Sequence, residues 1–240
     1  MRHPPPPPRN PQFACFGSLC RATARLLAGL LVIVTMMAAA AFDEIRLRQQ
    51  LTARFGPARV ELLNSWLKTV LETQALPESA KLKRVNDFVN QHIAFEDDRS
   101  IWEQSDYWAT PLDTIGQGRG DCEDFVIIKY VSLRRAGISN DKLRLIYAKA
   151  ALTTPDGPIQ VAHMVLAYYA TPTAEPVLLD NLEPAIRPAS KRPDLKPVFS
   201  FNSAGIFAGV SGREKATDGG IGRLSRWEDV LRRILAEGFE

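Results

Sequence analysis

The sequence predicts an α+β fold: N-terminal helices packed on an antiparallel β-sheet, with a cysteine at a helix N-terminus. Three observations carry this prediction. Apolar residues recur at helical spacing after residue 43, and strand-like runs follow one another after residue 143. Between them, Gly118-Arg119-Gly120-Asp121-Cys122-Glu123-Asp124-Phe125 takes a glycine-bearing loop straight into an apolar helical segment. Helices first and consecutive strands afterwards is the order of an α+β protein, not of repeated βαβ units.

The 240 residues allow one domain of ordinary size with extras at its ends. Residues 1–42 form a leader with a proline run (Pro4 to Pro8) and four arginines, Arg2, Arg9, Arg21 and Arg25. A charge-free apolar stretch follows from Leu26 to Phe42. Basic residues before a short apolar core and an Ala-x-Ala site are the layout of a secretory signal peptide. The apolar run falls just short of the roughly 20 residues that span a bilayer. The leader therefore reads as a signal peptide or an N-terminal membrane anchor, and residues 43–240 as an exported domain whose only membrane contact is that segment. A net charge of +3 without a Lys/Arg block excludes a nucleic-acid surface.

The three cysteines are Cys15, Cys20 and Cys122, so the body holds no pair for a disulfide. A lone thiol in an oxidising compartment is exposed to oxidation without structural return. Cys122 is either a nucleophile or an inert buried cysteine.

In chain order, Leu47, Leu51 and Phe55 mark a first helix, broken at Gly56-Pro57. Val60, Leu63, Trp66, Leu67, Val70 and Leu71 form a second apolar face that ends near Leu76-Pro77. Ser79 is placed to cap a third helix through Leu82, Val85, Phe88 and Val89. Periodicity fails from Asn90 to Arg119, which reads as a long ordered loop with Trp102 and Trp108 lining a groove or stapling the loop to the core. Asp121 then caps a helix with Cys122 in its first turn, and Gly137 closes it. Residues 143–150, 160–170, 177–180 and 197–201 read as strands, the second apolar on both faces and hence central. Residues 203–222 are a glycine-rich loop, and 225–237 a C-terminal helix through Trp227, Val230, Leu231, Ile234 and Leu235.

A thiolate is the nucleophilic form of cysteine, and a helix N-terminus favours the anion. An imidazole takes the proton and a third group orients the ring. His92 ends a helical segment, whereas His163 sits mid-strand among apolar residues, where an unpartnered ring is costly. Asp180 ends Val-Leu-Leu-Asp and is either a turn cap or the partner of His163. Direct opposition of 163 and 180 in a simple hairpin centres the turn between Thr171 and Pro172, slightly early for the polar segment, so a bulge or asymmetric loop is expected. The Cys122 amide is the natural oxyanion donor, with Gln117 and Trp108 as candidates for a second.

Gly-Asp-Cys-Glu-Asp-Phe opening a helix, Ala-His-Met-Val-Leu on a strand, Leu-Asp-Asn-Leu, and Arg-Pro-Asp-Leu-Lys-Pro-Val-Phe-Ser-Phe-Asn occur in this order. Together they resemble the bacterial transglutaminase-like cysteine proteinases of the LapG type, over about residues 45 to 205. The resemblance implies a papain-like, transglutaminase-like fold and a Cys122–His163–Asp180 triad. It implies a periplasmic endopeptidase that cuts the N-terminal region of a large surface adhesin between small residues, releasing it and promoting biofilm dispersal. It also implies sequestration by an inner-membrane cyclic-di-GMP receptor of the LapD type, and a calcium ion beside the nucleophile. Asp121, Glu123 and Asp124 are the candidate ligands: uncompensated, they raise the thiol pKa, and a hard cation cancels their charge. Capping of the helix is their other reading. The same triad can serve a transglutaminase or amidase, and the fold can serve as a non-catalytic binding module; loss of function in Cys122→Ala separates the last from the enzymes.

Overall fold

The computed structural model describes residue 3, residues 44–208 and residues 221–239. Apart from His3, the leader lies outside the described residues, as do Cys15, Cys20 and positions 209–220 of the glycine-rich loop. Among the described residues no helix is long and apolar enough to cross a membrane. The described residues from Arg46 onward belong to one compact unit.

Helix α1 (residues 44–55) buries Leu47 and Leu51 and stops at Gly56, whose φ of 83° is the left-handed conformation glycine tolerates. A 3₁₀ turn, Pro57–Arg59, leads into α2 (Val60–Thr73). Its buried stripe is Leu63, Trp66, Leu67, Val70 and Thr73; Leu71, expected on that face, is 64% exposed. Thr73 takes that place because its hydroxyl bonds back to the Thr69 carbonyl at 2.6 Å, so burial leaves nothing unpaired. Helix α3 (Glu78–His92) starts one residue before Ser79, behind Pro77, so Ser79 lies inside the first turn and is not the cap.

The stretch expected to be loop contains four short elements: β1 (Ala94–Phe95), α4 (Asp98–Trp102), α5 (Pro111–Gln117) and β2 (Arg119–Gly120). Strands β1 and β2 pair in parallel. Asp97 caps α4 by accepting from Ser100 N–H at 3.1 Å, and Thr110 with Asp113 forms a capping box on α5. Helix α6 (Cys122–Arg135) follows at once. It ends as expected at Gly137 (φ 90°), where Gly137 N–H bonds Arg134 O and Ile138 N–H bonds Leu133 O, both at 3.0 Å.

The strands are β3 (Leu143–Thr154), β4 (Gly157–Tyr168), β5 (Val177–Leu179), β6 (Arg187–Pro188), β7 (Leu195–Asn202) and β8 (Gly205–Ala208). They form one sheet in the order β6-β5-β4-β3-β7-β8, antiparallel throughout. Strand β8 occupies the beginning of the segment read as glycine-rich loop. Strand β4 is central, and its alternation splits as expected: Met164, Leu166 and Tyr168 enter the main core, Val165, Ala167 and Tyr169 a smaller cluster on the other face. The main core joins that sheet face to α2, α3, α6 and α7 (Ile221–Glu237). In α7, Trp227, Val230 and Ile234 are buried, while Leu235, expected to join them, is 62% exposed.

Candidate active site

Cys122 is the first residue of α6, the free cysteine among the described residues. Its position is fixed from both sides. Ahead of it, Ala94 N–H bonds Gly118 O and Glu96 N–H bonds Gly120 O, each at 3.0 Å, pinning the glycine loop to β1. Behind it, Asp124 turns its carboxylate back: Oδ2 accepts from Asp121 N–H at 3.3 Å and Oδ1 from Ala109 N–H at 2.8 Å. A Cβ on Gly120 would stand 2.7 Å from Asp124 Oδ2, which is why a glycine precedes Asp121-Cys122. The helix body is buried, so the sulfur stands at the wall of the core and not on a mobile surface turn.

His163, on β4, and Asp180, just past β5, meet: Nε2 lies 2.8 Å from Asp180 Oδ1, with both side chains buried. The register explains the contact without a bulge. Leu166 pairs with Leu179, so one step further places Asp180 opposite Val165 and diagonal to His163 on the same face. The expected bulge or asymmetric loop is therefore corrected: 163 and 180 are not directly opposed, and an offset of two residues in the pairing suffices. Asp180 Oδ1 also accepts from Asn181 and Leu182 N–H at 2.7 and 3.1 Å.

Sequence reasoning missed what surrounds Asp180. Arg192, buried, donates to Asp180 Oδ2 at 2.8 Å and to Asp194 Oδ2 at 2.7 Å. Lys129, fully buried two turns below Cys122, donates to the Asp180 carbonyl at 3.0 Å, and Asn90 Nδ2 does so at 2.9 Å. Burial alone would raise the Asp180 pKa; the His163 and Arg192 bonds overcome it and hold the carboxyl at about 2. Burial pulls the Lys129 amine down to about 7, against the pull of Asp180. The one earlier signal was Arg192 opening the Arg-Pro-Asp-Leu run.

Cys122 and His163 line one cavity of about 300 Å³, shared with Phe95, Trp108, Tyr147 and Arg226 among others. His92 is elsewhere: exposed, stacked on Phe88, with Nδ1 donating to the Phe88 carbonyl at 2.8 Å. Trp108 lines the cavity, but its Nε1 already donates to Asp106 Oδ1 at 3.0 Å; Gln117 is not among the lining residues. Trp102 packs against Tyr107 with the rings tilted at 45° and their centres 4.6 Å apart.

The acids expected beside the nucleophile do converge, and Asp98 and Asp106 join them. Carboxylate oxygens of Asp98, Asp121 and Asp124 lie within 4.8 Å of one another, as do those of Asp98, Asp106 and Glu123. Asp98 is 3% exposed; its Oδ2 accepts from Tyr107 N–H at 2.5 Å, but Oδ1 is buried without a partner, and so is Asp121 Oδ1. Burial first, then mutual repulsion, raises the Asp121 pKa to about 10; burial lifts Asp98 to about 6 and Asp124 well above its ordinary value. The thiol suffers likewise. Burial, then Glu123 and Asp121, push the Cys122 pKa well up, and the thiol donates to Glu123 Oε2 at 2.8 Å. Clustered hard oxygens with orphaned lone pairs and excess negative charge suit a calcium ion.

The family model of bacterial transglutaminase-like cysteine proteinases (BTLCP) matches residues 66–194. Among solved structures, Legionella pneumophila LapG is similar at 36% identity and a TM-score of 0.64, over 80% of this chain and 97% of that one. Its calcium-bound form matches at 36% identity and 0.64, over 80% and 98%. Its EGTA-treated form matches at 34% and 0.65, over 80% and 97%. A search of curated protein sequences finds no match.

Proposed function

Since the chain belongs to the bacterial transglutaminase-like cysteine proteinases, we propose that it is a calcium-dependent periplasmic endopeptidase using Cys122, His163 and Asp180. We take its substrate to be the N-terminal region of a large surface adhesin, whose release disperses biofilm. An inner-membrane cyclic-di-GMP receptor of the LapD type would hold it in check. The observation that carries the catalytic reading is the buried His163–Asp180 bond of 2.8 Å at a cavity shared with Cys122.

With Nε2–H donated to Asp180, Nδ1 is the ring nitrogen left for the sulfur. His163 Nδ1 takes the thiol proton, and Cys122 Sγ adds to the scissile carbonyl carbon. The carbonyl electron pair moves to oxygen, where the Cys122 backbone N–H stabilises it. As that pair returns, the C–N bond breaks and Nδ1 gives its proton to the leaving amine. A water then delivers its proton to Nδ1 and its oxygen to the thioester carbon; the C–S bond breaks as the carbonyl re-forms, Nδ1 returns the proton to Sγ, and the acid is released. Asp180 stays ionised throughout and keeps the ring in place.

Asp98, Asp121 and Glu123, with Asp106 and Asp124 beside them, would hold the calcium. Bound there, the ion would supply positive charge that offsets the carboxylates and brings the thiol pKa back down. Relatives solved in calcium-bound and EGTA-treated forms support this reading.

The test is cleavage of an adhesin N-terminal fragment from the same genome, with calcium, with a chelator, and with Cys122→Ala. One cut that requires both calcium and Cys122 is expected. Cutting that survives chelation would return the acids to helix capping; no cutting by a folded protein would make the chain a binding module. Diversion of the acyl group onto an added amine would indicate a transferase.

A further inference from the structure

Strand β1 leaves an unused edge beside the nucleophile. In a parallel pair, alternate residues turn their N–H and C=O to opposite sides. Ala94 donates to Gly118, just ahead of β2, and Glu96 to Gly120 on it, so the N–H and C=O of Phe95 face away. Neither has a partner among the described residues. The edge is rigid, because Phe95 sits opposite Gly120, two residues before Cys122, and Arg119 Nη1 clasps Glu96 Oε2 at 2.8 Å. It is also short, since Asp97 is already committed to capping α4. The Phe95 ring is 61% exposed, yet it lines the cavity that holds Cys122 and His163.

Unpaired edge groups accept an added strand, and an exposed ring gains by covering an apolar side chain. An extended peptide satisfies both at once while running on to the sulfur. We propose that β1 is the docking edge for the substrate backbone: Phe95 exchanges a pair of main-chain hydrogen bonds with one substrate residue, and its ring selects an apolar side chain close to the scissile bond. This rests on the proteinase reading above. One available residue on the edge means one sensitive residue in the substrate.

The probe is acetyl-Ala-Leu-Ala chloromethyl ketone, together with three analogues each N-methylated at a single amide. The second-order rate of Cys122 alkylation is measured on the calcium-loaded full chain and normalised to iodoacetamide, which reports the thiol without using the groove. One analogue should lose about tenfold, the cost of a blocked hydrogen bond with its steric clash, while the other two stay near the parent. Phe95→Ala should slow the parent and shrink its advantage over the Ala-Asp-Ala version. Equal rates for all analogues, or a Phe95→Ala variant that keeps the leucine preference, overturn the docking edge while the proteinase reading stands. Failure of iodoacetamide to alkylate Cys122 in the native chain would remove both.

Discussion

Asp180 is bonded on all three of its oxygens: to His163, Asn181 and Leu182, to Arg192, and to Lys129 and Asn90. Arg192 takes the carboxylate oxygen that His163 does not, and so fixes the plane in which the ring bond forms. Arg192→Met should therefore lower kcat about tenfold to a hundredfold, the range of a lost charge-assisted hydrogen bond, with KM near its native value. Arg192→Lys should recover only part, because a point charge cannot bridge Asp180 and Asp194 as a fork does. Steady-state kinetics on both variants checks this; a matched fall in thermal stability with kcat unchanged would reduce Arg192 to a structural role. Cys122, His163 and Asp180 were readable in the chain because each is conspicuous against its neighbours: one thiol, one imidazole in an apolar strand, one acid ending an aliphatic run. Arg192 and Asp98 were not. An arginine among Lys191, Pro193 and Asp194, or an acid after Glu96-Asp97, looks like surface charge until folding buries it.

Helix α6 is entered through a crowded turn and left through an open one, and its two flanking glycines should behave differently. At Gly120 an added Cβ meets Asp124 Cβ and Oδ2 at 2.7 Å, so the carboxylate that accepts from Asp121 and Ala109 must shift. At Gly137 the nearest atom is Lys81 Nζ at 3.6 Å, an ordinary contact, and the only burden is a φ of 90°. Gly137→Ala should cost about 1 kcal/mol of stability and leave thiol reactivity alone. Gly120→Ala should slow iodoacetamide alkylation of Cys122 several-fold as well as lowering Tm. Equal alkylation rates in the two variants would show that the entry turn does not position the sulfur. The helices of the first half, α6 and the central strands were legible because they carry 3.6- or 2-residue periodicity over enough positions. Strands β1, β2 and β6 are two residues long and carry no period. Helices α4 and α5 depend on the Asp97 and Thr110 caps more than on any apolar stripe. Strand β8 stands against β7 through backbone pairing that composition cannot announce.

Across the whole molecule, the acidic cluster gathers Asp98 from α4, Asp106 from the following loop, and Asp121, Glu123 and Asp124 from the start of α6. Helix α7 holds the same loop: Arg226 pairs with Asp106 at 3.0 Å and Arg233 Nη2 donates to the Trp108 carbonyl at 2.5 Å. An ion at the cluster would therefore brace distant parts of the chain, and its binding energy becomes folding energy. At a hundredfold excess over Kd the gain is about 2.7 kcal/mol, which corresponds to a Tm rise of about 5–10 °C in a chain of this size. Without the ion the pH dependence has a definite sign. Folded pKa values of about 6 for Asp98 and about 10 for Asp121 exceed the unfolded value near 4, so the folded chain binds more protons between those limits. Chelated protein should then lose stability steadily from pH 5 to pH 8, whereas calcium-loaded protein should not. Asp98→Asn should abolish most of the calcium-induced rise in Tm, because it replaces the charge of a carboxylate with an unpartnered oxygen, which would hold the ion, by a neutral amide. Thermal melts with and without EGTA at both pH values, on the native chain and the variant, decide the matter. A Tm indifferent to calcium at every pH would mean that protons already balance these carboxylates; the Cys122 thiol would then face Glu123 without a cation to bring its pKa down.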